Sequence, residues 1–307
     1  MEKLFLFDAY AIIFRSYYAF ISRPTINSKH LNTSPILGFC NTLKEILEKE
    51  KPTYLGVAFD HGKTFRHEAF PPYKAQRQET PEDIKLSVPY IKQVLEAMNI
   101  PVLQADGFEA DDVIGTLATE AGRQGIDTYM LTPDKDYGQL IGPNVKMFRP
   151  RHGGGYDVIG EKEVAAKYGI ASASQVVDLL ALMGDASDNY PGCPGVGEKT
   201  AVKLINQFGN TEELISHTDQ LKGKMREKVE GAIDDIKMAK YLATIRTDVP
   251  IALNLEEMRV TPPNEQKLRA LFDELEFKRM TERFLNKPEI KQKTANMQLD
   301  LFAANPT

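Results

Sequence analysis

The sequence predicts an α/β fold, with a mainly parallel central sheet, flanking helices and a C-terminal helical lobe. Three observations predict it. Short apolar runs alternate with amphipathic stretches through the first half, the pattern turns helical from about Val158 onward, and Gly- and Pro-rich turns separate the later helical pieces.

Taken in order, Leu4 to Phe7, Tyr54 to Phe59, Val102 to Leu103 and Tyr129 to Leu131 read as strands. Ser34-Pro35 opens a helix as N-cap and first-turn proline, with Leu37, Leu43, Ile46 and Leu47 as its apolar stripe. Thr80-Pro81 with Asp83 opens another, running through Ile84, Val88, Ile91 and Leu95. Beyond Val158, helices are predicted over 161–168, 173–183, 200–208 and 225–245, and 262–284 supplies an amphipathic pair. Residues 286–296 are polar and carry Pro288, which predicts a flexible tail. The expected division is an α/β core over 1–157, a helical lobe over 158–285 and a tail over 286–307. His152 to Tyr156, with its three glycines, lacks a phosphate-loop context and reads as a turn.

With 307 residues, 42% of them hydrophobic, the chain can bury a substantial core. Cys40 and Cys193 stand far apart with no second Cys or His at ligand spacing, which excludes a zinc site and a disulfide framework. The start, MEKLFLFDAYAIIF, lacks the apolar region and cleavage site of a secretory signal. No stretch approaches the ~20 apolar residues of a membrane helix. A cytoplasmic, nucleoid-associated monomer with no membrane contact is the expectation. The net charge of -5 argues mildly against nucleic-acid binding, unless the acids are concentrated in a cation pocket and basic segments elsewhere meet phosphates.

The acids are indeed placed unevenly. Asp8 follows the first strand, Asp60 the second, the Glu109 cluster the third, and Asp134 the fourth. In a parallel sheet such positions gather at the carboxyl edge, where ligands bind. Asp134 and Asp136, two apart in extended chain, point the same way. Glu109 and Asp112 share a helix face at i, i+3, beside Asp111, and Asp185 and Asp188 repeat that spacing. Nine acids are thus expected around one pocket. Crowded carboxylates need protons, basic partners or cations, and hard oxygen donors select Mg²⁺, with Mn²⁺ able to substitute. Two such ions suit phosphodiester hydrolysis. Taken singly, each acid is as readily a helix cap or a loop residue, but capping accounts for Glu109 to Asp112 and not for Asp8, Asp60 or the Asp134 and Asp136 pair.

Residues 191–200, PGCPGVGEKT, place Gly195 and Gly197 before a helix, where free N–H groups hold phosphate; this is the hairpin of a helix-hairpin-helix element. Val196 lies between them, and Lys199, Thr200 and Lys203 add side-chain contacts. A nucleotide-binding P-loop fits poorly, because Glu198 intrudes before Lys199 and a helix rather than a strand precedes Gly192. A simple capping turn is the plain alternative. Between His61 and Arg77, Lys63, Arg66, Lys74 and Arg77 alternate with Phe65, Phe70 and Tyr73, which suits a frayed or single-stranded DNA end, although a solvated loop has the same composition.

The segments FDAYAIIFRSYYAF, VAFD, YKAQR, EADDVIGTLA, TPDKDYGQLI and GDASDNYPGCPGVGEKTA together resemble the 5′-nuclease family of DNA polymerase I and flap endonucleases, over roughly residues 1 to 285. The bacterial polymerase I domain is the most similar branch. Asp8-Ala-Tyr departs from the family's Asp-Gly-Ser but keeps the acid. The resemblance implies a PIN-like nuclease core with a helical arch at about 61–100, and a helix-3-turn-helix (helix-hairpin-helix) motif at about 174–209. It implies one metal among Asp8, Asp60, Glu109 and Asp111, a second supported by Asp134, Asp136 and Asp188, and Asp112 and Asp185 acting directly or through water. Lys74 and Arg77 would face the scissile phosphate, Tyr73 would stack on the terminal base, and a K⁺ ion would bind carbonyls near Val196 and Gly197. Implied substrates are DNA 5′ flaps, nicked duplexes and RNA primers, in replication and repair. Within the 307 residues no polymerase or proofreading segment is expected. Gln298-Leu299-Asp300-Leu301-Phe302 resembles a sliding-clamp-binding pentapeptide; a linker is the alternative. A helix-hairpin-helix DNA binder without activity and a PIN-like RNase are the competing functions. Retention of all nine acids argues against the first, and the helical lobe against the second.

Overall fold

The computed structural model describes residues 2–285. The tail and the Gln298 to Phe302 motif lie outside the described residues.

Six strands form one sheet: β1 (Lys3–Asp8), β2 (Tyr54–Ala58), β3 (Val102–Leu103), β4 (Asp127–Leu131), β5 (Val145–Pro150) and β6 (Tyr156–Ile159). Their order is β3-β2-β1-β4-β5-β6, parallel throughout except for β6, which runs antiparallel to β5. The last two strands form a hairpin whose turn holds Gly153, Gly154 and Gly155, all at positive φ. That agrees with the turn expected there, although the strands on either side of it were not anticipated.

Leu4, Phe5, Leu6 and Phe7 of β1 are all fully buried, as a central strand covered on both faces requires. Strand alternation sends them to two separate cores. Phe5 and Phe7 face α1 (Ala9–Ala19), α2 (Ser34–Lys49) and α4 (Glu82–Ala97). Leu4 and Leu6 face α5 (Ala110–Arg123) and, beyond it, the helical lobe. The short α3 (Phe65–Ala69) lies between β2 and α4.

Helix starts differ in detail from expectation. Thr33, not Ser34, is the N-cap of α2, and the Ser34 hydroxyl accepts from the Thr25 N–H instead. Pro81 is the N-cap of α4, and Asp83 accepts from Asn32 rather than from its own helix.

The lobe contains α6 (Glu161–Tyr168), α7 (Val176–Met183), the two-residue strands β7 (Gly184–Asp185) and β8 (Tyr190–Pro191), α8 (Glu198–Phe208), α9 (Thr211–Ser216), α10 (Gly223–Gly231) and α11 (Ile233–Ala243). The long helix expected over 225–245 is broken at Ala232, where the chain leaves helical geometry (φ -115, ψ 14). A short α12 (Leu255–Met258) follows.

Two boundaries move. The pair α13 (Glu265–Glu274) and α14 (Lys278–Leu285) is not part of the lobe: Leu268, Leu271 and Phe272 pack in the same core as Ile91 and Leu95 of α4. Likewise, α4 packs on α2 as part of the sandwich. Of the segment expected as an arch, residues 82–97 are therefore packed in the sandwich.

Candidate active site at the carboxyl edge of the sheet

β1 is the point where the strand order reverses, with β2 on one side and β4 on the other. Crevices outside such a switch point are where open sheets bind ligands. A cavity of about 520 Å³ opens there, lined by Asp8, Asp60, Glu109, Asp111, Asp134, Asp136 and Asp188, with Tyr10, Phe14, Tyr73, Lys74, Arg77 and Tyr190. Leu242 and Ala243 of α11 bring the lobe to its wall.

Each acid is fixed by the end of an element. Asp8 closes β1 and caps α1, accepting from the Ala11 N–H at 3.1 Å, while its second oxygen accepts from Thr132 and Tyr137 hydroxyls at 3.2 Å each. Asp60 accepts from the Ala110 N–H at 2.7 Å, so β2 is tied to the start of α5. Glu109 is the N-cap of α5. Asp134 caps a 3-10 turn over Lys135–Leu140 and accepts from the Asp136 N–H at 3.0 Å. The extended geometry expected for Asp134 and Asp136 is thus replaced by a tight turn, yet both still line the cavity.

The electrostatics show a deficit of positive charge. Burial, then Asp60, push the Asp8 carboxyl up to about 7; burial, then Asp134, push Asp136 up to about 8. Asp111 is driven well up by burial and by Asp112, and Asp60 and Asp134 are raised mainly by burial. Asp136 Oδ1 and the Tyr190 hydroxyl are buried without a hydrogen-bond partner among the described residues.

Two of the nine acids do not line this cavity. Asp112 is fully buried and accepts two hydrogen bonds from Arg66, at 2.7 and 2.8 Å. It also accepts the Glu109 and Arg246 N–H groups, so its oxygens are engaged within the protein. Asp185 turns to Lys135 at 3.0 Å and to Ser187, which outweigh its burial and lower its carboxyl.

The basic segment also needs correction. Arg66 is 1% exposed and donates to the Leu242 and Thr244 carbonyls besides Asp112, so it cannot reach DNA. Tyr73 is 3% exposed, and its hydroxyl bridges Glu109 (3.1 Å) and Asp188 (3.2 Å), which leaves no ring face for base stacking. Lys74 is drawn into the cavity, 2.8 Å from both Glu109 oxygens. Burial opposes its charge, but Glu109 and Asp188 outweigh this and raise it. Arg77 stays half exposed while donating to Asp188 at 2.5 Å.

Beside the cavity, α7, the β7–β8 pair and α8 form a helix-hairpin-helix, with Asp188 and Tyr190 on the cavity wall. Gly192 is preceded by the two-residue β8, not by the helix tail expected there; β8 pairs only with β7, outside the six-stranded sheet, and Glu198 still stands between Gly197 and Lys199, so the P-loop match stays poor. Gly192 packs so tightly that a Cβ there would lie 2.3 Å from the Gly184 backbone nitrogen. Gly195 (φ +71) and Gly197 are exposed, as are Lys199 and Lys203; Thr200 is half-buried and Val196 buried. One residue escaped the sequence reading: Lys228 of α10 reaches the hairpin, its ammonium 2.6 Å from where a Gly195 Cβ would stand. The i, i+4 lysines 224 and 228 were the only local signal.

Carboxylate oxygens, with no His or Cys on the cavity wall, suit hard divalent cations, and the partnerless Asp136 oxygen and raised acids fit a site that lacks positive charge. Among the described residues no three His, Cys, Asp or Glu side chains converge on one point as a ready cage. The acids line a cavity, and Lys74 stands between them. Also among the described residues, no helix is long and apolar enough to cross a membrane.

A family model described as 5′-3′ exonuclease, N-terminal resolvase-like domain, matches residues 3–169, and one described as 5′-3′ exonuclease, C-terminal SAM fold, matches 171–266. DNA polymerase I of Bacillus caldotenax is 40% identical over 286 residues, which are 92% of this chain and 32% of that protein. DNA polymerase I of Bacillus subtilis (strain 168) is 39% identical, with the same coverage of 92% and 32%. The chain therefore spans about a third of the length of these relatives. Two solved structures share its fold. The T5 5′-exonuclease with divalent metal ions (zinc) bound has a TM-score of 0.66 at 22% identity, covering 89% of this chain and 99% of that one. The catalytic core of Rad2 in complex with DNA substrate (complex III) has a TM-score of 0.64 at 16% identity, covering 92% of each.

Proposed function

The chain belongs to the 5′-3′ exonuclease family, and from that premise we propose that it is a divalent-metal-dependent nuclease that hydrolyses phosphodiester bonds at DNA 5′ flaps, at nicks and in RNA primers. The observation that carries this reading is the gathering of seven carboxylates on one cavity at the carboxyl edge of the sheet.

Asp8, Asp60, Glu109 and Asp111 would hold one Mg²⁺, and Asp134, Asp136 and Asp188 a second, with Mn²⁺ able to replace either. When bound, the pair supplies an activated water and stabilises the leaving oxygen of an in-line displacement. The chain's own part is to place the strand. The hairpin offers the backbone N–H groups of Gly195 and Gly197, with Lys199, Thr200, Lys203 and Lys228, to duplex phosphates without reading sequence, while the Val196 N–H is spent on the Cys193 carbonyl. Lys74 and Arg77 sit where a scissile phosphate enters among the acids and offset its charge. In this structure Tyr73 is turned away from a strand, its hydroxyl bridging Glu109 and Asp188. A K⁺ ion at the Val196 and Gly197 carbonyls and clamp docking through Gln298 to Phe302 extend the proposal; the Gly197 carbonyl also accepts the Thr200 and Ala201 N–H groups.

The test is cleavage of a 5′-labelled flap duplex with Mg²⁺ or EDTA, by the parent and by Asp134→Asn. Metal-dependent release of short 5′ products, severely reduced in the variant, is expected. Equal cleavage by both would refute the assignment.

A further inference from the structure

The segment crossing the cavity is fastened there by its own charge. Lys74 Nζ lies 2.8 Å from each oxygen of Glu109 and 3.9 Å from Asp188. Its backbone sits at φ +56, a left-handed conformation that costs a long L side chain free energy, and its N–H donates to the Asp188 carbonyl at 2.9 Å. Such a conformation persists only where neighbours over-determine it. Apart from Glu109, the neighbours belong to one turn of the lobe. Arg77 donates to Asp188, Gln76 donates to the Ala186 carbonyl, and Asn189, itself at φ +60, donates to the Pro72 carbonyl at 2.7 Å. Residues 72–77 are thus latched to 185–189 across the mouth of the carboxylate cavity, with one ammonium inside it.

We propose that Lys74 is a built-in counter-ion, holding at Glu109 the place that a divalent cation takes on loading, so that entry of the cation expels the ammonium and frees segment 72–77 from the 185–189 turn. This rests on the metal-nuclease reading above and adds to it an exchange. Buried carboxylates need compensation in every state of the protein. The ammonium contacts both Glu109 oxygens, one of which also faces Arg66 Nη1 at 3.4 Å, so a divalent cation binding there competes with the ammonium for them. A lysine, with its flexible four-carbon stem and compact charge, can be displaced where a forked guanidinium such as that of Arg66 cannot. The displaced ammonium remains at the mouth of the cavity, where an entering phosphate needs it. Ion loading and delivery of the phosphate-facing lysine become one event, and the unloaded protein keeps its entrance shut.

The direct test uses the unaltered full chain and Mn²⁺ alone, without DNA. A short pulse of acetic anhydride followed by peptide mass spectrometry reads the reactivity of each lysine. Lys146, paired with Asp127 at the opposite edge of the sheet, serves as internal reference. Lys74 is expected to be protected in EDTA and to become several-fold more reactive when Mn²⁺ saturates the protein; unchanged Lys74 reactivity would overturn the exchange. A second measurement follows free Mn²⁺ by electron paramagnetic resonance. Lys74→Met should bind Mn²⁺ about tenfold more tightly than the parent, the scale of removing one close, partly screened charge, while Lys74→Arg and Lys146→Met should not tighten it. If binding weakens in Asp111→Asn but does not tighten in Lys74→Met, the exchange alone fails. If it does not weaken in Asp111→Asn, the metal reading fails with it.

Discussion

The guanidinium of Arg66 grips the carboxylate of Asp112 through two hydrogen bonds, of 2.7 and 2.8 Å, in an environment where the two residues are 1% and 0% exposed. Arg66 also donates to the carbonyls of Leu242 and Thr244, so this pair joins α3, α5 and the end of α11 behind the cavity.

Replacing Arg66 by Met leaves the Asp112 charge buried and uncompensated, and should destabilise the protein by about 3–5 kcal/mol. Urea unfolding measures this. The companion expectation is that Arg66→Met protein that remains folded binds DNA as the parent does; a variant of full stability and weakened DNA binding would return Arg66 to the DNA surface.

The raised acids make a pH prediction for protein kept in EDTA. Asp8 at about 7 and Asp136 at about 8 hold protons in the folded state that the unfolded chain releases near the ordinary value of 3.8. Between these limits the folded state binds more protons, so stability is fully present below the unfolded value and is lost as pH rises through the folded values. Asp185, lowered instead, acts only at the acid end, below its ordinary value. The thermal midpoint in EDTA should therefore fall from about pH 5 to about pH 8, and Mg²⁺ should suppress the fall. A flat profile, or one unchanged in Asp8→Asn and Asp136→Asn, would contradict the charge deficit.

Lys228 stands over Gly195 and should act as a phosphate contact. In an Asp134→Asn background that stops cleavage, Lys228→Gln should weaken duplex binding and lower the slope of log affinity against log salt by about 1. Fluorescence anisotropy across a salt series measures it. A slope equal to that of the Asp134→Asn protein would remove Lys228 from the interface.

Gly192 and Gly197 separate folding from binding within one hairpin. A Cβ at Gly192 would meet backbone atoms of Gly184, Leu182 and Met183 at 2.3–2.6 Å, so Gly192→Ala should cost about 1–3 kcal/mol or more. A Cβ at Gly197 meets nothing within 4 Å, so Gly197→Ala should leave stability within about 0.5 kcal/mol and weaken DNA binding by blocking backbone approach. Unimpaired DNA binding by Gly197→Ala would count against the phosphate clamp.

The sheet and the position of its acids were legible because both depend on local pattern. Apolar runs of strand length fix β1, β2 and β4, and an acid just past such a run is carried to the carboxyl edge whatever lies around it. What covers a residue is a long-range property. Arg66 and Tyr73 lie in a run whose composition suits a DNA-facing loop, and nothing within that run signals that Leu242, Thr244, Glu109 and Asp188 will enclose them. Asp112 illustrates the same limit: its i, i+3 spacing from Glu109 predicts a shared helix face, but its side chain is enclosed by Arg66 and does not line the cavity as its neighbour Asp111 does. The β5–β6 pair was hidden because its short runs carry Lys146, Arg149 and Asp157 among the apolar residues. The return of α13 and α14 to the core had no local mark at all, since an amphipathic helix does not name the face it will cover.

The central claim is that acids far apart in the chain share one cation-binding cavity. Crystals soaked in Mn²⁺ and measured at the manganese edge test it in one step. Anomalous density is predicted inside the cavity bounded by Asp8, Asp60, Glu109, Asp111, Asp134, Asp136 and Asp188, with the Lys74 ammonium withdrawn from Glu109. Density confined to other surfaces, or a cavity that stays without manganese at saturating concentration, would contradict the account.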